Sequence, residues 1–159
     1  MRRFGIALLS LLAVAGASLW VAYAQNAHFI SNRSVATCSG DNLRVCFKEA
    51  GLGDAATNYS LTATRTATYM CVNGGGKVPS DPKKTTVSEI GGVTGTFSPK
   101  NGTVSTCLDL SPPPPPASFS CPSGQRVSGP VDVAYDGITL TDTSNNVAAE
   151  LPVSSQSCP

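Results

Sequence analysis

The stretch Asn58-Tyr59-Ser60-Leu61-Thr62-Ala63-Thr64-Arg65-Thr66-Ala67-Thr68-Tyr69-Met70-Cys71-Val72 alternates with a period of two. Tyr59, Leu61, Ala63, Ala67, Tyr69 and Cys71 share one parity, and Ser60, Thr62, Thr64, Thr66 and Thr68 share the other. Successive side chains of a strand point to opposite faces, so this run predicts a strand with one buried face and one wet, threonine-rich face. That is the usual condition of an antiparallel sheet. Arg65 interrupts the apolar parity and marks a bulge, a bend between two sheets or the open end of the core.

Shorter stretches repeat the pattern on both sides. They are Leu43, Val45 and Phe47; Val87 with Ile90; Val93 with Phe97; Val104, Leu108 and Leu110; Val131, Val133 and Tyr135; Ile138 with Leu140; and Val147, Ala149, Leu151 and Val153. Ser39-Gly40-Asp41-Asn42, Gly91-Gly92, Pro99-Lys100-Asn101-Gly102 and Asp136-Gly137 separate them as turn signals, because glycine and asparagine tolerate positive φ. Helical periodicity is weak, with room for a turn or two in Lys48–Ala56. Eight or nine short strands without intervening helices predict an all-β fold, an antiparallel β-sandwich of immunoglobulin-like architecture. The analogy is architectural only, since the buried tryptophan of antibody-type domains is missing.

The N-terminus carries Arg2 and Arg3, an apolar run from Ile6 to Val21, and Ala22-Tyr23-Ala24 as a small-x-small site. This predicts a secretory signal over residues 1–24, cleaved after Ala24, with a retained transmembrane anchor as the alternative. Removing those 24 of the 159 residues leaves one secreted β-sandwich domain over residues 25–159. Loss of Arg2 and Arg3 leaves nine basic residues facing ten acidic ones and moves the formal net charge from +1 to −1. That balance steers the chain toward neither nucleic acid nor an anionic membrane. The only tryptophan, Trp20, leaves with the signal, so a mostly aliphatic core is expected.

Six cysteines, Cys38, Cys46, Cys71, Cys107, Cys121 and Cys158, follow the signal. An even count in a small exported chain predicts a disulfide framework, with fifteen possible pairings. Cys38 and Cys46 flank the Ser39–Asn42 turn and are expected to face each other across a hairpin. Cys71 and Cys121 each end a strand-like phrase before a Gly or Pro loop, so a bridge there would tie the two loops. Cys107 is then left to pair with Cys158. No Cys-x-x-Cys motif supports redox chemistry, and no closely spaced Cys or His pair supports zinc.

From Phe47 to about Thr143 the chain resembles a group of small secreted bacterial proteins with no assigned activity. The resemblance rests on Phe47-Lys48-Glu49-Ala50-Gly51-Leu52-Gly53, Ala67-Thr68-Tyr69-Met70-Cys71-Val72-Asn73-Gly74-Gly75, Lys100-Asn101-Gly102, and Phe119-Ser120-Cys121-Pro122 with Gly124-Gln125. It implies export and a β-rich fold, and it supports the Cys71–Cys121 pairing. It carries over no catalytic or ligand residue.

Catalytic chemistry has few candidates. His28 is the only histidine and stands four residues past the expected cleavage site, a poor position for a triad. The ten carboxylates show no spacing that singles out a pair for glycoside hydrolysis. Asp132, Asp136, Asp142, Asn145 and Asn146 supply oxygen ligands near the C-terminal turns, yet they match no calcium-loop motif. No catalytic residue, metal or cofactor is therefore expected. The candidate contact loops are Asn73-Gly74-Gly75-Gly76-Lys77 and the proline run Pro112–Pro116. The expected function is a secreted binding or cell-surface module whose partner is an extracellular protein, a cell-wall component or a glycan. An extracellular protease inhibitor using Pro112–Phe119 is the alternative, and a hydrolase ranks last.

Overall fold

The computed structural model describes residues 26–158. The expected export signal, its cleavage site and Trp20 lie outside them. Ten strands follow in chain order: β1 (His28–Phe29), β2 (Val35–Ser39), β3 (Asn42–Ala50), β4 (Thr57–Asn73), β5 (Lys84–Phe97), β6 (Thr103–Leu110), β7 (Gln125–Val127), β8 (Asp132–Asp142), β9 (Val147–Ala148) and β10 (Ser155–Cys158). A 3-10 turn, Ser31–Arg33, joins β1 to β2. The described chain is all-β, with two antiparallel sheets. In the first, β6 pairs along the whole of Leu43–Ala50 of β3, while β2 and β1 share the other edge of β3. The second runs β10-β8-β4-β5, with β7 extending β4 and β9 extending β8.

The alternation quoted above is the central strand of the second sheet. Its apolar parity faces the first sheet, and one core contains Leu43, Val45 and Phe47 of β3, Val104, Leu108 and Leu110 of β6, Leu61 and Tyr69 of β4, and Val133, Tyr135 and Leu140 of β8. That core is mostly aliphatic, as expected, with its aromatic rings grouped. The inner faces gather Phe29, Phe47, Tyr59 and Phe97 at one end, with Phe47 and Tyr59 ring centroids 4.7 Å apart, within the range of favourable aromatic pairs. The opposite parity forms a hydroxyl face, where Thr62 meets Thr139 at 2.6 Å, Thr66 meets Ser88 at 2.9 Å and Thr68 meets Thr86 at 2.9 Å.

Three local expectations are corrected by pairing. Gly91-Gly92 is no turn: β4 and β5 pair without a break from Thr57↔Phe97 to Met70↔Lys84. Both glycines serve close approach instead. A Cβ on Gly92 would stand 2.8 Å from the Leu61 carbonyl oxygen. Asp136-Gly137 lies inside β8, where Thr62 pairs with Thr139 but Thr64 pairs with Asp136, leaving one extra residue on β8. Gly137 has a positive φ and absorbs this bulge. Lys48–Ala50 form strand rather than a helical turn, because Ser105, Val104 and Thr103 of β6 satisfy them.

The Lys100–Thr103 turn forms as read. Asn101 and Gly102 both take positive φ, as a tight hairpin turn requires. Lys100 and Thr103 exchange both backbone bonds, at 2.8 and 3.1 Å.

Two of the three expected bridges are corrected. The β2–β3 hairpin turns through Gly40 and Asp41 alone, so Cys38 stands opposite Leu43, and Cys46 stands opposite Val35. Opposed residues share a face, which turns Cys38 inward with Leu43 and Cys46 outward. Cys46 bonds Cys107, its direct partner on β6, and Cys38 bonds Cys158 on β10, linking the two sheets. Cys107 and Cys158 cannot meet, because one lies on the outer face of the first sheet and the other in the core. Cys71 and Cys121 are bonded as expected.

Candidate binding groove

The chain flanking the two expected contact loops is joined near the end of β4. Asn73–Lys77 is an exposed turn closed by Gly76 N–H donating to the Asn73 carbonyl at 2.7 Å and Asn73 N–H donating to the Lys77 carbonyl at 2.9 Å. Besides the Cys71–Cys121 bond, Lys83 Nζ ties this region to the proline segment by donating to the Ser120 carbonyl at 2.8 Å, 5.4 Å from the Phe119 ring centroid.

Pro112–Pro116 does not project. The Tyr69 hydroxyl donates to the Pro113 carbonyl at 2.6 Å, Arg65 Nη1 donates to the Ser111 carbonyl at 2.9 Å, and Pro113 is buried. The segment straps the inner face of the second sheet where β6 has ended. Arg65 thus marks the open end of the layer of strands, one of the readings its parity break allowed.

The acidic residues divide into two places. Asp132 and Asp136 are exposed on β8, while Asp142 is buried at its far end. An extended strand keeps Asp132 and Asp142 at opposite ends of its length. The proposed calcium ligands are therefore not gathered. Asp142 Oδ1 instead accepts from the backbone N–H of Ser144 and Asn145 at 2.8 and 3.0 Å, shaping the β8–β9 turn as aspartate side chains commonly do. Beside it lie Glu49 and Tyr59, both fully buried. Neither Glu49 carboxyl oxygen nor the Tyr59 hydroxyl has a conventional hydrogen bond. Burial pushes the Glu49 carboxyl up to about 7; the Tyr59 hydroxyl pulls it back and the Asp142 carboxylate pushes it further, since burial and a like charge both disfavour the ionised form. Burial, and then Glu49, raise Tyr59 strongly. The pair seals the core, and the clefts described next are lined by neither carboxylate.

Two adjoining clefts lie elsewhere, along β6 and its neighbour β3. A cleft of about 550 Å³ is lined by Lys48, Phe97, Ser98, Lys100, Asn101, Thr103, Val104, Ser105 and Thr106. A second, of about 420 Å³, shares Lys48, Ser105 and Thr106 and adds Arg33, Cys46, Phe47 and Cys107. Each cation arrives by a local rule. Lys48 sits on the outward parity of β3 with Arg44 and Cys46, Lys100 opens the Asn101-Gly102 turn, and Arg33 ends the 3-10 turn. Arg44 on the same face is neutralised by Asp109 through bonds of 2.7 and 3.0 Å, which hold the Asp109 carboxyl below its usual range. Such a two-pronged, charge-assisted contact is the strong form of the pair. Among the described residues the ion pairs are Arg44–Asp109 and Arg65–Glu89, so Arg33, Lys48 and Lys100 have no carboxylate partner there.

Sequence reading missed this groove. Its residues come from three separate segments, and the one available signal was the outward parity of Lys48 in a strand read as a helical turn. No known protein family, curated protein or solved structure matches the chain.

Proposed function

We propose that the protein is a secreted, non-enzymatic binding module of immunoglobulin-like sandwich architecture that holds an acidic glycan of the cell envelope. The observation that carries this reading is the joined pair of clefts lined by three unpaired cations and no carboxylate. Like charges around one concavity repel each other, and an anionic ligand relieves that repulsion. Ser98, Asn101, Thr103 and Ser105 add hydrogen-bonding groups, and the Phe97 ring offers an apolar wall. That combination suits sugar hydroxyls and the faces of sugar rings. Three disulfides suit an oxidising exterior, in keeping with the N-terminal signal and with the resemblance to small secreted bacterial proteins. The Asn73–Lys77 turn is the second exposed surface available for contact. The inhibitor reading has less support, because the Pro113 carbonyl is turned into the protein rather than offered to a protease.

Affinity electrophoresis of the mature chain through gels holding a polyuronate, a sulfated polysaccharide or a neutral glucan tests the proposal. Retardation by the acidic polymers alone, lost at high salt and in the Lys48→Glu/Lys100→Glu double variant, is expected. Equal migration in all gels would sink it.

A further inference from the structure

Among the described residues β5 has one neighbour in its sheet. Pairing with β4 satisfies one edge from Lys84 to Phe97, and no described strand pairs with the other. The opposite margin of the sheet is cut into the four-residue β10 and the two-residue β9. The open edge of β5 is fourteen residues long. Its outward-facing backbone donors and acceptors have no strand partner among the described residues, and monomeric proteins blunt such edges with proline, bulges or repeated charge. β5 has no proline, its register shows no bulge, and Ile90–Phe97 carries no charge. Ile90, at the middle of the strand, is 82% exposed.

We propose that two copies of this chain join through β5, antiparallel about a two-fold axis at Ile90, into one continuous sheet of twelve strands. The register follows from the sequence of the strand. Opposed residues must share a face, so the axis passes through a residue rather than between two. Centring on Glu89 would oppose two carboxylates. Centring on Gly91 would set each Ile90 against a glycine. Centring on Ile90 places the two isoleucines against each other on the hydroxyl face and sets Val87 against Val93 on the inner face. In that register Lys84 faces Thr96 and Glu89 faces Gly91, so no like charges are opposed. The two Glu89 carboxylates become diagonal neighbours, each paired with its own Arg65. The dimer also presents two β3–β6 grooves on one particle, which raises avidity for a polymeric ligand.

Sedimentation equilibrium on the disulfide-bonded mature chain tests the pairing directly. A mass twice that of the monomer is expected, reverting to monomer in Ile90→Lys with an unchanged circular dichroism spectrum. Ile90→Cys should form an intermolecular disulfide that peptide mapping places between the two position-90 residues. Ser88→Cys should not, because Ser88 faces Gly92 of the second copy. A monomeric parent chain at every concentration, a dimer that Ile90→Lys leaves intact, or equal cross-linking by Ser88→Cys would each overturn the proposal.

Discussion

The guanidinium of Arg65 occupies the space above Gly91: a Cβ built there would fall 2.2 Å from Arg65 Nε. Arg65 thereby lies flat against β5, bonded to Glu89 and to the Ser111 carbonyl, and closes the core where the proline strap begins. Gly91→Ala should displace that side chain and destabilise the protein by about 1–3 kcal/mol. In an Arg65→Ala background the same substitution should cost far less. Urea denaturation of the four proteins gives the coupling.

Glu49 makes stability depend on pH in the direction opposite to that of a salt-bridged acid. Its folded-state value of about 7 lies above the unfolded value of 4.5, so the native state binds the extra proton between those limits. Stability from this group is full below pH 4.5, falls as pH rises, and is lost above pH 7. The whole change amounts to about 3 kcal/mol. Glu49→Gln, which keeps the shape without the charge, should remove the fall. Chemical denaturation at pH 5 and pH 8 should show the variant more stable than the parent only at the higher pH.

The two redistributed disulfides should differ in worth. Cys46–Cys107 staples strands already paired, with a sequence separation of 61, whereas Cys38–Cys158 joins the two sheets with a separation of 120. Replacing either pair by serine should cost about 2–4 kcal/mol, and the longer loop should add about 0.6 kcal/mol to the second. Cys38→Ser/Cys158→Ser should also speed exchange of the β10 amides specifically, which hydrogen exchange would detect.

Lys48 stands in both clefts of the groove. Lys48→Glu should weaken retention by an acidic polysaccharide about ten-fold or more at low salt. Arg126→Glu, an equal charge change on β7 outside both the groove and the β5 edge, should have little effect in the same gels.

How much was legible follows from the range of each interaction. The strand Thr57–Asn73 and the Asn101-Gly102 turn were readable because a period of two and a positive φ are properties of a few adjacent residues. Gly91-Gly92 and Asp136-Gly137 were misread because glycine has several uses, and the sequence does not say which neighbour approaches it. The groove was invisible for a related reason: Arg33, Lys48 and Lys100 stand on different elements, and only the pairing of β3 with β6 gathers them.

Alternation of side chains along the backbone is a local property, and from it the chain alone determined an all-β fold and a threonine face; the Cys71–Cys121 bridge was one expectation among fifteen pairings, drawn from loop position and the resemblance, and the fold forms it. The partners of the other four cysteines were decided by tertiary structure. A two-residue turn set the register of β2 on β3, and one step of register exchanges the buried face for the exposed one. Cys38 thereby turned inward toward β10 and Cys46 outward toward β6. The same packing left β5 without a second neighbour among the described strands and set three cations around one groove, because both features depend on which strands lie side by side.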